Sequence, residues 1–133
     1  MSGYLLDTNI VSALMKAPYG QLAQRIARSG EMNVFTSVIV AAELRYGALR
    51  RGPQRLILEL DGLFGELEVR ALEPTAALSY GRLRAALEVA GTPISGNDML
   101  IAAHALDLDA TLVSDNERDF GRIADLRLEN WLR

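Results

Sequence analysis

The side chains best equipped for chemistry in this sequence are carboxylates placed at the ends of apolar runs. Asp7 closes the run Tyr4-Leu5-Leu6, Asp98 opens a late helical segment, and Asp115, Glu117 and Asp119 follow a run that ends in Ser114. Glu43 adds a carboxylate beside the apolar Val40, Ala41, Ala42 and Leu44, so its helix reads as mostly buried. A buried carboxylate is costly unless it is paired or metal-bound. Arg45 cannot serve as its partner, because residues two apart on a helix do not face each other. If these groups converge, their repulsion raises their pKa values until a cation neutralises them. With no cysteine and one histidine in the chain, such oxygen donors suit Mg²⁺ or Mn²⁺ rather than zinc. One or two such ions activate a water and stabilise the leaving oxygen in phosphodiester hydrolysis.

Each of these residues also has a simpler reading. Asp7 and Asp98 are good helix N-caps, a role worth ~1 kcal/mol, and the acidic run after Ser114 reads as a solvated loop. His104 fits a surface or packing role on its helix better than a proton carrier. Arg50, Arg51 and Arg55 flank a helix break and read as a solvated face, with phosphate or partner contact as the functional alternative; Arg45 is a candidate neighbour of the site. Tyr4, Tyr46, Tyr80 and Trp131 are too scattered for a base-stacking platform.

The elements that must position these groups alternate between strand and helix. Tyr4 to Asp7 reads as a strand, and Thr8 and Asn9 lead into a helix through Ile10, Val11, Leu14 and Met15. Pro18 opens a second helix, which ends at Ser29-Gly30, and Met32 to Thr36 reads as a second strand. A helix from Val38 to Leu49, another after Pro53, a strand at Leu67 to Leu72 and a long helix from Pro74 to about Ala90 follow. Ser95 to Asp98 caps the helix carrying Met99, Leu100, Ala102, Ala103 and Leu106; Ala110 to Ser114 and Leu126 to Trp131 supply the last strands. This alternation predicts an α/β domain with three layers, α/β/α, around a central mainly parallel sheet. In such sheets, functional groups collect at the carboxyl ends of the strands.

The 133 residues, half of them hydrophobic and 23% charged, fit one compact domain spanning 1–133. The opening residues carry no basic, apolar leader pattern, no run approaches the ~20 residues of a membrane span, and cysteine is absent. A cytoplasmic protein is the expectation. A formal charge of −3 argues against a general nucleic-acid binder. Of 14 basic residues only Lys16 is lysine, and arginine's planar fork suits phosphate and carboxylate alike.

Leu5-Leu6-Asp7-Thr8-Asn9-Ile10-Val11-Ser12 resembles the opening of PIN-domain toxins. The likeness continues in order through Thr36-Ser37-Val38, Ala42 to Gly47, Pro93 to Ala105, Thr111 to Phe120 and Leu128 to Leu132, and is weakest between Pro53 and Ala90. The chain is similar to the VapC group of ribonuclease toxins. That resemblance implies metal-binding roles for Asp7, Glu43 and Asp98, with Ser114 as the family's small hydroxyl residue beside the metal. It leaves open which of Asp115, Asn116 and Asp119 completes the site. It further implies Mg²⁺ as cofactor with Mn²⁺ as substitute, an RNA substrate such as tRNA, a VapB-like antitoxin whose arginine can enter the acidic site, and a homodimer within a larger complex.

Two other functions compete. A haloacid-dehalogenase-like phosphatase shares an Asp after the first strand and a Gly-Asn-Asp-Met-Leu segment, but Asn9 stands where it needs a second Asp and no lysine follows Lys16. A non-catalytic interaction domain would use the carboxylates only as caps and as contacts for a basic partner.

Overall fold

The computed structural model describes residues 3–30 and 33–133. Its elements run β1 (Tyr4–Leu6), α1 (Thr8–Lys16), α2 (Gln21–Ser29), β2 (Val34–Ser37), α3 (Val38–Arg51), α4 (Gln54–Glu66), β3 (Glu68–Arg70), α5 (Ala76–Ala90), α6 (Gly96–Asp107), β4 (Thr111–Val113), α7 (Glu117–Phe120) and β5 (Leu128–Glu129). All five expected strands are present; Met32, expected to begin the second, lies outside the described residues. The short α7 is the main addition. The acidic run read as a loop makes one helical turn, capped by Asn116, whose side chain accepts from the Asp119 N–H.

The sheet has the order β3-β2-β1-β4-β5, and every pairing is parallel. Each connection therefore needs a crossover, which the helices provide. Right-handed crossovers put α1 to α4 on one face and α5 to α7 on the other, giving the expected three layers. The chain winds outward from β1 to β2 and β3, then returns to the other side of β1 for β4 and β5. The switch in direction opens a crevice at the carboxyl ends of β1 and β4, where α/β proteins bind ligands.

Burial explains why this frame is rigid. Leu5 and Leu6 of the central strand have no solvent exposure, nor do Phe35, Leu112 and Val113 on its neighbours. Gly3, at a left-handed φ of 90°, begins β1 because a Cβ there would meet the Asn33 carbonyl oxygen at 2.5 Å. On the far side α6 buries Ile101 through Ala105 without a break. A helix buried all round needs small residues, and Ala102, Ala103 and Ala105 let it lie close between α5 and the sheet.

His104 belongs to this packing and not to the site. It is fully buried, and its Nδ1 lies 2.8 Å from the Ser37 Oγ. Ser37 also caps α3 by accepting from the Ile39 N–H at 3.0 Å, so one hydroxyl ties α6 to the start of α3. Burial lowers the imidazole pKa, which fits a neutral ring taking the Ser37 hydroxyl proton. Among the described residues its Nε2 has no hydrogen-bond partner; the Ala71 backbone is near enough to favour protonation but outside bonding geometry. Ser37→Ala removes a helix cap and leaves Nδ1 unsatisfied, so it should lower the unfolding free energy by about 1–3 kcal/mol. Urea denaturation checks this; an unchanged midpoint would show that the hydroxyl couples nothing.

Candidate active site

Four elements deliver carboxylates to the carboxyl edge of the sheet. Asp7 follows β1 directly, and its backbone N–H continues the ladder by donating to the Val113 carbonyl at 2.9 Å. Asp7 occupies the N-cap position of α1, yet its side chain makes no cap hydrogen bond. Instead its Oδ2 accepts from the Ser114 hydroxyl at 2.7 Å, joining the ends of β1 and β4. The Ser114 Oγ in turn accepts from the Asn116 N–H at 3.0 Å. Asp98 is not the cap of its helix either: Ser95 holds that position and accepts from the Asp98 N–H at 3.2 Å. Both carboxylates are thus excused from capping and left for another task.

Glu43 projects from the second turn of α3 and is half-buried. Its Oε1 accepts from the Thr8 hydroxyl at 2.8 Å and its Oε2 from the Asn97 amide at 3.3 Å. Those two donors sit beside Asp7 and Asp98 in sequence, so the hydrogen bonds draw three elements together. The helix around Glu43 is less buried than its composition suggests: only Val40 and Ala48 are buried, while Tyr46 and Leu49 are 65% and 68% exposed. Arg45 points away from the site, paired with Asp61 of α4 at 2.6 Å and lying over the Phe64 ring.

The residues after β4 divide their work. Asp115 is exposed and accepts from the Asn9 amide at 3.0 Å. Asn116 faces Asp119, donating from Nδ2 to its Oδ2 at 3.3 Å and accepting from its N–H at 3.4 Å. Asp119, so held, is near enough to Asp98 to raise its pKa. Sequence reasoning passed over Thr8, Asn97 and Arg122. The first two stand directly beside site carboxylates, and that adjacency was the available signal. Arg122 had none: its guanidinium lies 3.6 Å from Asp119 and donates to the Pro93 carbonyl at 3.1 Å, a link only the fold reveals.

The carboxylates act on one another electrostatically. Burial pushes the Asp7 pKa from 3.8 up to about 6; the Ser114 hydroxyl and Thr8 N–H pull it down, while Asp98 and Glu43 push it further up. Burial likewise raises Asp98, partly offset by the Ser95 hydrogen bond and reinforced by Glu43 and Asp119. The repelling set is Asp7, Glu43, Asp98 and Asp119. Among the described residues no three Asp, Glu, His or Cys side chains are gathered into a ready metal cage. Mg²⁺ needs none, because it keeps several waters and binds through one or two carboxylates. The all-oxygen donor set fits such an ion. A cavity of about 560 Å³ between Leu14, Ile26, Val34 and Leu63 contains none of these four groups; here cavity size does not mark the chemistry.

Fold and site together define a PIN domain, and residues 4–126 match that family. The chain is 39% identical to the ribonuclease VapC2 of Rickettsia felis, over 96% of this chain and 97% of that one. It is 32% identical to the tRNA(fMet)-specific endonuclease VapC of Salmonella typhimurium, over 98% and 99%. VapBC2 from Rickettsia felis, solved bound to a DNA fragment from its promoter, superposes with a TM-score of 0.90 at 35% identity, covering 96% and 98%. The chain belongs to the PIN-domain family and, within it, to the VapC toxins of VapBC toxin-antitoxin systems. That membership displaces the phosphatase reading.

The raised Asp7 pKa carries a stability consequence. A carboxyl that holds its proton more tightly when folded than when unfolded makes the native state lose stability as pH rises through the interval between the two values. For Asp7 that interval runs from 3.8 to about 6, and the full penalty, ~3 kcal/mol, is present above it. Asp7→Asn keeps an acceptor for Ser114 and removes the charge, so in EDTA at neutral pH it should melt higher than the wild type and lose stability less steeply across that interval. A variant no more stable than wild type would refute a buried, repelled Asp7.

Proposed function

We propose that this protein is a Mg²⁺-dependent endoribonuclease that hydrolyses RNA phosphodiester bonds, with Mn²⁺ able to substitute. The observation that carries the reading is the convergence of Asp7, Glu43, Asp98 and Asp119 at the β1/β4 switch point, with Asp7 raised to about 6. The name of the Salmonella relative favours tRNA as substrate.

In this reading Asp7, Glu43 and Asp98 would hold the ion, part of the set through its bound waters, and Asp119 completes the acidic set. When bound, Mg²⁺ supplies the positive charge that activates an attacking water and stabilises the phosphate in the transition state. The chain's own residues fix the geometry. The Ser114 hydroxyl donates to Oδ2 of Asp7 and the Thr8 N–H to the same carboxylate, which fixes its orientation. Thr8 and Asn97 hold both oxygens of Glu43, which keeps that carboxylate from swinging toward solvent. Asn116 fixes Asp119 from two directions. Preorganisation of this kind lowers the barrier because the groups need not reorganise during the reaction.

The partner follows from the same charge balance. A VapB-like antitoxin bringing an arginine to the carboxylates would neutralise them as a cation does, by charge-assisted hydrogen bonds. The R. felis VapBC2 structure supports such a partner. Exposed Tyr46 and Leu49 on α3 and Leu58 on α4 offer apolar surface for it and for a homodimer. A cytoplasmic setting is part of this proposal; separately, no helix among the described residues is long and apolar enough to cross a membrane.

Purified protein, free of antitoxin, is incubated with total bacterial RNA with and without Mg²⁺ or Mn²⁺, and the new ends are sequenced. Discrete cuts are expected from the wild type with metal only, reduced at least ~100-fold in Asp98→Asn, in line with loss of a group stabilising the transition state. No cleavage by folded wild type, together with no rise in melting temperature on adding Mg²⁺, would favour a non-catalytic interaction domain. The fourth carboxylate is tested separately: Asp119→Asn should lose activity by about tenfold or more, whereas Asp115→Asn should stay within about twofold. The reverse ranking would assign the role to Asp115.

A further inference from the structure

A second groove, of about 370 Å³, begins at the candidate site and leads away from it. At the near end its wall includes Thr8, Asn9 and Glu43; further along it includes Lys16 and Arg51, and also Glu59 of α4, whose charge is met by Arg55 at 3.4 Å. Helices α1 and α3 leave the carboxyl ends of adjacent parallel strands and pack on each other. Lys16 lies eight residues beyond Thr8 and Arg51 eight beyond Glu43, about 12 Å of helix in each case. Two cations therefore stand the same number of turns along α1 and α3 from Thr8 and Glu43, and both line the groove. Neither makes an ion pair or hydrogen bond among the described residues. Their place in the last turn of each helix suits the helix dipole, but the dipole does not require that both line one groove continuous with the site.

Resting on the ribonuclease reading, we propose that this groove seats the single-stranded RNA flanking the scissile bond, with Lys16 and Arg51 holding backbone phosphate. Charge pattern selects this occupant. The near end repels phosphate unless a cation is bound, and the far end attracts it, so a strand engaged at both ends lies along the groove. Gly47, on α3 between Glu43 and Arg51, keeps the wall low: it lines the groove, and a Cβ added there would meet nothing within 4 Å. Arg51, in a cluster that reads in sequence as a solvated face, thereby gains a specific role, and the chain's single lysine gains another.

The test measures binding of a fluorescein-labelled single-stranded oligouridylate to the full-length Asp98→Asn protein at constant Mg²⁺ across a salt series. Each phosphate contact contributes about 0.7 to the slope of log affinity against log salt for single strands. Adding Lys16→Ala and Arg51→Ala together should therefore lower the slope by about 1.4 and weaken binding. Gly47→Leu should weaken binding at least ~5-fold with the slope contribution of remaining contacts intact, while replacing a helix glycine raises thermal stability. An unchanged slope in the double variant, with melting temperature preserved, overturns the groove assignment even if the wild type cleaves RNA. A reduced slope with a wild type that cleaves nothing keeps the groove and overturns the ribonuclease reading. Loss of binding by Gly47→Leu without any change from the charge variants overturns the phosphate contacts assigned to Lys16 and Arg51.

Discussion

Burying the Asp7 carboxylate at the end of the central strand is the constraint around which the molecule is arranged. Taking an ionised carboxylate out of water costs several kcal/mol unless polar partners compensate. The Ser114 hydroxyl and the Thr8 N–H compensate in part, and the residual cost appears as a pKa raised to about 6. A cap residue or a surface loop would have avoided that cost. Retaining it makes sense only where a concentrated negative charge is useful, which in an all-oxygen site means attracting a cation. The strained electrostatics and the proposed chemistry are two aspects of one arrangement.

The frame has to resist that repulsion, and the sequence supplies unusual rigidity where it is needed. Asp7 and Ser114 are carried by strands with no solvent exposure at Leu6 and Val113, so neither can retreat. Asp98 is carried by α6, whose alanine-rich run is buried without interruption. Glu43 sits on a more exposed helix, and it alone needs two side-chain donors to fix it. Thr36, hydrogen-bonded to the Leu6 carbonyl at 2.6 Å, and Ser37, shared between α3 and His104, lock the β2 corner from which that helix departs.

Most of the fold was legible because it rests on local signals. Hydrophobic periodicity marked the strands and long helices, and proline, glycine and capping residues marked their ends. The one-turn helix at Glu117 was not legible: four residues carry no period, and its formation depends on the Asn116 cap, which acidic composition conceals. Sequence motifs identified Asp7, Glu43 and Asp98, but the partition among Asp115, Asn116 and Asp119 was out of reach. Those residues differ by one to four positions along the chain, and only the turn geometry decides which side chain faces Asp98 and which pairs with Asn9. The exposure of Tyr46 and Leu49 was likewise hidden, since an apolar helix read alone cannot be told from one that awaits a partner.

Charge balance unites the remaining features. Four carboxylates at one edge demand positive charge, which protons, a divalent ion, an internal arginine or a partner's arginine can each provide. Arg122 already supplies a share: 3.6 Å from Asp119 and bonded to the Pro93 carbonyl, it ties the α7 turn to the loop that leads into α6. It is held at the rim, only partly buried, so it moderates the repulsion without filling the centre. Lys16 and Arg51 lie further out along α1 and α3, too far to neutralise the site and unpaired. Positive charge is therefore graded from rim to groove end while the centre stays negative. A polyanion can be guided along such a gradient, and in the proposed ribonuclease it would meet the carboxylates' repulsion at the centre unless a cation stood between them.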